Sequence, residues 1–364
     1  NSYGQIGIGT YCPYGSYVDG CNGNDGISTP TMVSLPNGRS ATAVAVGESH
    51  ACSILEDGSV WCWGSNQHGQ LGVGNSSDTG NWRYLPNQVS LPSSVSAVAI
   101  TLGRYHSCIV ASDGVAYCWG MGDDGRLGHG STNDENSPVA VASSENYVSI
   151  SAGDYHTCAI TQERSVQCWG VNWDGQLGDG SGTYGGRSIP ADVSLPSGTQ
   201  VTSIASGEKH NCVITQLMES YCWGEDGNNR LNTEYECTND FTNGCYNNDR
   251  HIPATSILPA GRNAIAVVAG DEWTCLLLDN GGVYCFGNNG KGELGNGSTN
   301  GQGPNYVPMP TEISPKSNDR DLDGDNVFNN EDDCMEGETG WYSNSTSDFD
   351  GDGCRDATED LDDD

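Results

Sequence analysis

Residues 47–52 read GESHAC, residues 60–64 read VWCWG and residues 69–74 read GQLGVG. The same three pieces recur in the same order along most of the chain, as G-x-x-H-x-C, C-W-G and G-Q-L-G-x-G. The second piece returns, once with Phe in place of Trp, at residues 118–120, 168–170, 222–224 and 285–287. A repeat of about 50 to 60 residues is typical of propeller blades. The fold is therefore decided by this repeat.

Each unit contains four short β-prone stretches and glycine-rich turns, without a helical pattern of apolar residues. Such units predict four-stranded blades arranged around an axis. We predict an all-β fold: a β-propeller over residues 1–314, with five complete blades and part of a sixth, and a calcium-organised coil over residues 315–364. The aromatic residue of C-W-G is expected to fill the core between blades.

Ten of the 16 cysteines form five pairs that are ten positions apart. Residues 52–62, CSILEDGSVWC, hold two β-prone stretches around an Asp57-Gly58 turn, which places the two thiols opposite each other. Zinc sites are the alternative, but C-x10-C without nearby C-x-x-C pairs does not supply four converging thiolates. Disulfides indicate an oxidising, extracellular compartment. The predicted spaced pairs are Cys52–Cys62, Cys108–Cys118, Cys158–Cys168, Cys212–Cys222 and Cys275–Cys285. Elimination leaves Cys12–Cys21, Cys237–Cys245 and Cys334–Cys354.

The tip of this hairpin varies between repeats. Gly114 and Gly281 stand where the first unit has Gly58, but two other units have Arg164 and Met218 there. Residues with a side chain are strained in the left-handed conformation that the turn requires. We therefore expect these two turns to differ in detail from the others.

Four histidines, His50, His106, His156 and His210, occupy one repeat position, and Trp273 takes the same position in the fifth unit. Because each lies in its own blade, they cannot converge on a metal or a substrate. We predict a structural role for them. No Ser/His/Asp set, phosphate loop or isolated carboxylate pair stands out, so we expect a non-enzymatic protein.

The chain is strongly acidic, with 48 Asp and Glu against 14 Lys and Arg and a formal net charge of −34. Such a charge disfavours nucleic acid and anionic membranes as partners and favours cations. A salty habitat, in which charge repulsion is screened, explains an acidic surface equally well. No apolar run reaches the about 18 residues that a membrane span needs.

These motifs resemble the regulator of chromosome condensation family of propeller repeats and the secreted bacterial β-lactamase inhibitor propellers built from the same repeat. The likeness covers about 300 residues through G-x-x-H-x-C, C-W-G and G-Q-L-G. It implies a propeller fold. The nucleotide-exchange activity of the nuclear family member depends on particular loops, and nothing here matches them. Disulfides also argue against a nuclear role.

Residues 1–9 match residues 66–74, so the chain opens on the end of a repeat unit. Residues 306–313 are predicted to be the first strand of a sixth blade, which lacks its central hairpin. Since proteins normally cover exposed strand edges, three explanations remain open. Upstream residues complete the ring, another subunit donates the strands, or the ring is open.

From Asp319 onward the chain is rich in Asp, Asn and Gly, with oxygen donors in the spacing of an EF-hand loop. The tail resembles thrombospondin type 3 repeats, although Asn326 replaces the glycine expected at position 6 of its first loop. This predicts a calcium-binding coil, held by the Cys334–Cys354 disulfide; a solvated acidic tail is the alternative. The predicted ligands of the first loop are Asp321, Asp323, Asp325, the Val327 carbonyl, Asn329 and Asp332. Those of the second are Asp348, Asp350, Asp352, the Cys354 carbonyl, Asp356 and Glu359.

Two functions remain open. In the first, the calcium-stabilised propeller is a subunit of an extracellular or cell-surface assembly, such as a filament of head-to-tail copies of itself. In the second, it is a recognition module that binds a protein or a glycan. The variable segments after each G-Q-L-G-x-G are then expected to emerge on a common face. The candidate binding residues are Tyr11, Tyr14, Tyr17, Trp82, Tyr84, Tyr184, Tyr235, Phe241 and Tyr246.

Overall fold

A computed structural model describes most of the repeat region. The described residues are 3–9, 31–36, 38–74, 82–181, 185–233, 245–246, 249–295 and 311–313. The chain divides into two compact units, Asn1–Thr311 and Glu312–Asp364. The predicted ligands of calcium lie outside the described residues, so the coil over residues 315–364 stays a prediction.

The described strands form five antiparallel sheets, which are the blades. The first blade contains β1 (Ala41–Val46), β2 (His50–Leu55), β3 (Val60–Ser65) and β4 (Trp82–Gln88). The second contains β5 (Ala97–Leu102), β6 (His106–Ala111), β7 (Ala116–Gly120) and β8 (Glu135–Ala140). The third contains β9 (Tyr147–Ala152), β10 (His156–Thr161), β11 (Val166–Gly170) and β12 (Arg187–Asp192).

The fourth blade has one additional short strand at its edge. It contains β13 (Val201–Ser206), β14 (His210–Thr215), β15 (Ser220–Gly224), β16 (Cys245–Tyr246) and β17 (Asp249–Thr255). The fifth contains β18 (Ala264–Ala269), β19 (Trp273–Leu278), β20 (Val283–Gly287) and β21 (Thr311–Ile313). The predicted all-β propeller of four-stranded blades is confirmed.

The central hairpin of each blade follows from the ten-residue spacing of its cysteines. In the first blade Cys52 pairs with Cys62 in the strand register, and their Cα atoms are 4.1 Å apart. All five spaced pairs are disulfides, as predicted. Such bonds are compatible with an extracellular protein. The three pairs inferred by elimination include cysteines outside the described residues.

The expectation that the hairpin tips at Arg164 and Met218 differ is wrong. Both residues adopt the left-handed backbone, with φ of 65° and 60°, as Gly58 does with φ of 76°. The closing hydrogen bonds are also the same: Met218 N donates to Thr215 O at 2.9 Å, as Gly58 N does to Leu55 O. The hairpin register and its disulfide therefore impose the strained conformation on these two residues.

Apolar side chains of neighbouring blades interlock between the sheets. Ile54, Val60 and Leu71 of the first blade pack with Leu102 and Trp119 of the second. Trp119 is fully buried, and so are its counterparts in the later blades, Trp169, Trp223 and Phe286. The prediction that the aromatic residue of C-W-G fills the core between blades is confirmed.

The segment 3–9 has the conformation of a glycine-rich turn that follows C-W-G. Gly4 and Gly7 have φ of 78° and 72°, against 80° and 67° for Gly69 and Gly72. Gly7 N donates to Gly4 O at 2.9 Å, and Gly72 N donates to Gly69 O at the same distance. These residues belong to a blade that precedes the first. The described chain therefore forms five complete blades and part of a sixth.

The position of β21 corrects one detail of the sequence interpretation. The strand Thr311–Ile313 is the fourth strand of the fifth sheet, not the first strand of a sixth blade. The reason is visible in the first blade, where the proline-containing strand β4 pairs with β3 of the same blade. The strand that follows each glycine-rich turn thus completes its own sheet. Residues 306–310 lie outside the described residues.

Candidate functional site

The innermost strands of the five blades line a central channel. The cavity between them has a volume of about 700 Å³. The turn that follows each innermost strand carries the G-x-x-H motif. The residue directly after the glycine of this motif therefore lies at one end of the channel. These five residues, which we call the mouth ring, are Glu48, Arg104, Asp154, Glu208 and Asp271.

Arg104 is the single cation of the mouth ring and it contacts both neighbours. Its Nε donates to Glu48 Oε2 at 2.7 Å, and its Nη1 lies 3.6 Å from Asp154 Oδ2. Four carboxylates and one guanidinium leave the ring with a net negative charge. The mouth ring is therefore suited to cationic groups.

Two tyrosines extend the mouth around Arg104. Arg104 Nη1 donates to the Tyr155 hydroxyl at 2.6 Å, and its Cζ lies 5.4 Å from the centre of the Tyr105 ring. The buried Arg126 guanidinium also lies near Tyr155, with its Cζ 5.0 Å from the centre of the ring. Such cation–π contacts hold the aromatic rings in place. The mouth thus presents ordered tyrosines beside carboxylates.

Burial and mutual repulsion perturb the carboxylates on this face. Burial raises the pKa of Asp154 to about 6, and the nearby Glu208 carboxylate adds to the rise, while Arg104 opposes it. Burial also raises the pKa of Glu208. Farther out, burial and then Asp174 raise the pKa of Asp249 to about 7. A cation bound at this face would favour the ionised forms.

The four repeat histidines are buried and connect neighbouring blades. His156 Nε2 lies 2.8 Å from Asn211 Oδ1 in the next blade, and Asn211 Nδ2 donates to Gln176 O at 2.8 Å. We call this chain of hydrogen bonds a blade latch. Each latch joins three groups. They are a histidine of one blade, the side chain of the residue that directly follows the histidine position in the next blade, and a backbone carbonyl of a glycine-rich turn. The other latches are His50–Ser107–Gln70, His106–Thr157–Arg126 and His210–Thr274–Arg230.

The latches fix the protonation of these histidines. Asn211 Oδ1 can only accept, so His156 carries its proton on Nε2. Burial lowers the pKa of His50 to about 3 and that of His156 to about 4. The histidines are therefore neutral parts of the blade interface, and the predicted structural role is confirmed.

The latch also explains the glycine of G-x-x-H. A Cβ atom on Gly47 would lie 2.5 Å from the Gly103 carbonyl oxygen and 2.9 Å from His50 Cε1. The imidazole and the neighbouring inner strand leave no room for a side chain. The motif is thus required by packing between blades.

The predicted binding loops begin and end on the face that carries the mouth ring. Trp82, at the start of β4, pairs with Ser65, at the end of β3. Glu135 and Gly120 are paired in the same way in the second blade. Trp82 is partly exposed and packs against Tyr3, with ring centres 5.9 Å apart.

Of the other predicted binding residues, two lie on described strands. Tyr84 lies on β4 and Tyr246 on β16, a strand whose side chains the structure does not describe. Six further residues lie outside the described residues: Tyr11, Tyr14, Tyr17, Tyr184, Tyr235 and Phe241. Sequence reasoning missed Arg104, Tyr105 and Tyr155. The sequence held a signal for them. These residues occupy the two variable positions of the G-x-x-H motif, whose glycine and histidine recur.

No metal centre is found in the part of the chain that the structure describes, where no three His, Cys, Asp or Glu side chains group around a common point. All twelve predicted calcium ligands lie beyond that part. Within the described ranges no helix has the length and apolar character needed to cross a membrane.

Blades built from one repeat, joined by latches around an acidic channel mouth, define a repeat β-propeller. The regulator of chromosome condensation (RCC1) repeat pattern matches residues 57–110, 113–160, 165–214 and 280–320. This chain belongs to the RCC1 repeat family.

Known relatives with this repeat differ widely in size and role. The E3 ubiquitin-protein ligase HERC2 of Homo sapiens is 28% identical over 287 residues, which are 77% of this chain and 6% of the ligase. The ultraviolet-B receptor UVR8 of Arabidopsis thaliana is 30% identical over 260 residues, 71% of this chain and 56% of the receptor. The chain thus spans a small part of the ligase and about half of the receptor.

Solved structures show the same fold. Human WBSCR16 superimposes with a TM-score of 0.71 at 18% identity, covering 86% of this chain and 74% of WBSCR16. Yeast RCC1 (Prp20), solved with Kap60 bound, gives a TM-score of 0.68 at 21% identity, covering 82% of this chain and 68% of the yeast chain. At these identities the likeness concerns the fold.

Proposed function

We propose that this chain is an extracellular, non-enzymatic protein with a structural or adhesive role. In this proposal the calcium-stabilised propeller is a subunit of a surface or filamentous assembly with head-to-tail contacts. The observation that carries it is the set of five disulfides buried within the blades, which restrain each hairpin and suit a protein that works in an oxidising compartment.

The disulfides support the extracellular part of the proposal. Five hairpins each close a cystine in the core of their blade, where nine of the ten sulfur-bearing residues are fully buried and Cys275 is 8% exposed. A protein that depends on so many disulfides suits an oxidising compartment. Extracellular calcium concentrations also match the weak sites, with dissociation constants on the order of 0.1 to 1 mM, expected for the acidic tail.

Electron microscopy and sedimentation of the purified chain test the proposal. We expect ordered polymers or larger particles with calcium, and smaller particles after chelation. Replacing Asp325 and Asp352 together by Ala should give the chelated behaviour without chelator. A chain that stays monomeric with calcium at every concentration would contradict the structural role.

The mouth ring favours a second candidate, a recognition module that binds a protein or a glycan. Arg104 holds Tyr105 and Tyr155 in fixed positions at the mouth, and ordered tyrosines on a rigid scaffold suit binding. Yeast RCC1 (Prp20), which shares the fold, is a structural relative that was solved with the protein Kap60 bound. The negative mouth favours a cationic ligand.

Binding of purified candidate ligands distinguishes this second function from the first. For a ligand held at the mouth, replacing Tyr105 and Tyr155 by Ala should abolish binding. The matched control is Met32→Ala, because Met32 is a highly exposed side chain elsewhere in the chain. An equal loss of ligand binding in the tyrosine variant and in Met32→Ala would show that the mouth is not the binding site.

A further inference from the structure

One buried position of the glycine-rich turn differs between successive blades. It is the residue before the leucine of G-Q-L-G, and it reads Gln70, Arg126, Gln176 and Arg230 along the first four blades. All four side chains are buried. The backbone carbonyl of this residue is also the last acceptor of each latch. The position therefore affects how well each boundary between blades is closed.

Where the residue is glutamine, its carbonyl accepts two short hydrogen bonds from the next blade. Gln70 O accepts one from Trp119 Nε1 at 2.9 Å and one from Ser107 Oγ at 2.8 Å. Gln176 O accepts the same two kinds of bond from the fourth blade, again at 2.9 and 2.8 Å. The indole of the C-W-G motif and the latch are thus both bound at these two boundaries.

The boundary between the second and third blades, where the residue is Arg126, has weaker contacts. The latch bond from Thr157 Oγ1 to Arg126 O is 3.2 Å long. The fully buried Trp169 Nε1 has no hydrogen-bond partner in the part of the chain that the structure describes, and neither has Arg126 Nη1. Buried donors without an acceptor destabilise the contact in which they lie.

The boundary between the fourth and fifth blades shows what a buried arginine requires. Arg230 Nη1 donates to Glu225 Oε2 at 3.0 Å, and its Nη2 lies 3.7 Å from Glu272 Oε1. The second and third blades have Met121 and Tyr155 at the two equivalent positions. The arginine of the second blade therefore lacks the two carboxylates that hold its counterpart.

Arg104 crosses this weak boundary at the mouth ring. From the second blade it donates to Glu48 Oε2 of the first blade at 2.7 Å and to the Tyr155 hydroxyl of the third at 2.6 Å. Between the third and fourth blades the mouth is joined by the backbone instead, with Asp154 N donating to Glu208 O at 3.3 Å. A side chain thus closes the mouth where the buried contacts below it are poorest.

We infer that the boundary between the second and third blades is a seam, the place where the described propeller opens first, and that Arg104 is the clasp that closes the seam at the mouth. Regions with fewer buried contacts open locally at a lower free energy than the rest of a fold. The inference does not depend on either proposed function. Because the clasp belongs to the mouth ring, a ligand that engages Tyr155 would also act on the seam.

Hydrogen exchange of the full chain, followed by NMR, tests the seam through three equivalent backbone amides. Each donates to a hairpin carbonyl of the preceding blade: Ala97 N to Gly58 O at 2.9 Å, Tyr147 N to Gly114 O at 2.8 Å, and Val201 N to Arg164 O at 2.9 Å. We expect Tyr147, at the seam, to exchange about tenfold faster than the other two, although its own bond is no longer. Equal protection of the three amides would overturn the seam.

Two reciprocal variants test the cause. Arg126→Gln gives the second blade the residue of the first and third, and should slow the exchange of Tyr147 about tenfold while Ala97 stays unchanged. Gln176→Arg creates a second seam and should speed the exchange of Val201. Should either variant fail to fold, the other still decides. An Arg126→Gln variant with faster or unaltered exchange at Tyr147, or a Gln176→Arg variant with unaltered exchange at Val201, would show that the buried arginine is not the source of weakness.

A third variant tests the clasp. Arg104→Ala should speed the exchange of Tyr147 by about threefold to tenfold, because the mouth contact between the second and third blades is lost. Arg39→Ala is the matched control, since Arg39 forms an ion pair with Asp57 in the first blade. Exchange at Tyr147 that is the same in both variants would overturn the role of Arg104.

Discussion

His156 Nε2 and Asn211 Oδ1 form a hydrogen bond of 2.8 Å across the boundary between the third and fourth blades. His156→Ala should lower the free energy of unfolding by about 1 to 3 kcal/mol, because Asn211 loses a buried donor. A double-mutant cycle with Asn211→Ala, followed by chemical denaturation, measures the coupling between the two residues. His68→Ala is the control, and additive effects at 156 and 211 would contradict the latch.

The latch histidines make the fold sensitive to acid. They are neutral in the folded chain, with pKa of about 3 for His50 and about 4 for His156, against 6.5 in the unfolded chain. The unfolded state therefore binds more protons below pH 6.5, and the stability that is complete above this pH falls as the pH drops. Each histidine contributes about 1.4 kcal/mol per pH unit in that window.

The free energy of unfolding as a function of pH checks this prediction. His156→Gln removes one titrating group and should give a shallower dependence than the unmodified chain. Identical slopes would show that His156 is not buried as a neutral group. Asp154, whose pKa is raised to about 6, acts in the opposite direction, since its contribution is lost as the pH rises through that value.

Arg104 controls the ionisation of Asp154 at the mouth ring. Its guanidinium lowers the pKa of Asp154 against the larger effect of burial, so Arg104→Ala should move that pKa above about 6. Carboxyl carbon chemical shifts followed by NMR during a pH titration measure the change. Arg39→Ala is the control, because Arg39 pairs with Asp57 in the first blade. A pKa that moves equally in both variants would contradict the assignment.

Each disulfide restrains the hairpin of its own blade. Replacing Cys108 and Cys118 by Ala should lower the free energy of unfolding by about 2 to 4 kcal/mol, because the unfolded chain gains conformational freedom. Thermal or chemical unfolding under non-reducing conditions measures the loss. A variant as stable as the parent chain would show that the strand register alone holds the hairpin.

The acidic tail should bind calcium with dissociation constants on the order of 0.1 to 1 mM. Isothermal titration calorimetry on the full chain measures this. Asp325→Ala with Asp352→Ala should remove the heat, because both predicted loops lose a carboxylate, while Asp57→Ala in the propeller leaves it unchanged. An absence of heat in the parent chain would favour the solvated acidic tail.

The sequence was sufficient to predict the hairpins, because spacing and turn residues determine strand register locally. Cys52 and Cys62 are ten residues apart around one turn, and they are directly opposed in the structure. The fully buried Trp119 was predicted from the same repetition. Such features need no knowledge of how the blades are arranged.

What sequence reasoning missed depends on contacts between distant parts of the chain. The positive φ of Arg164 and Met218 comes from the surrounding hairpin, which overrides the local preference. The perturbed pKa of Asp154 arises where innermost strands of several blades meet. Arg104 and Tyr155 are 51 residues apart in sequence, and their contact is defined only when two blades pack together.

The five described disulfides all close within single hairpins, and none of them crosses a boundary between blades. Neighbouring blades are held together by latches and apolar packing, which are noncovalent. Under mechanical tension the chain would therefore separate at the boundaries between blades while each hairpin stays closed. Such a propeller would yield in discrete steps and would re-form when the load is released.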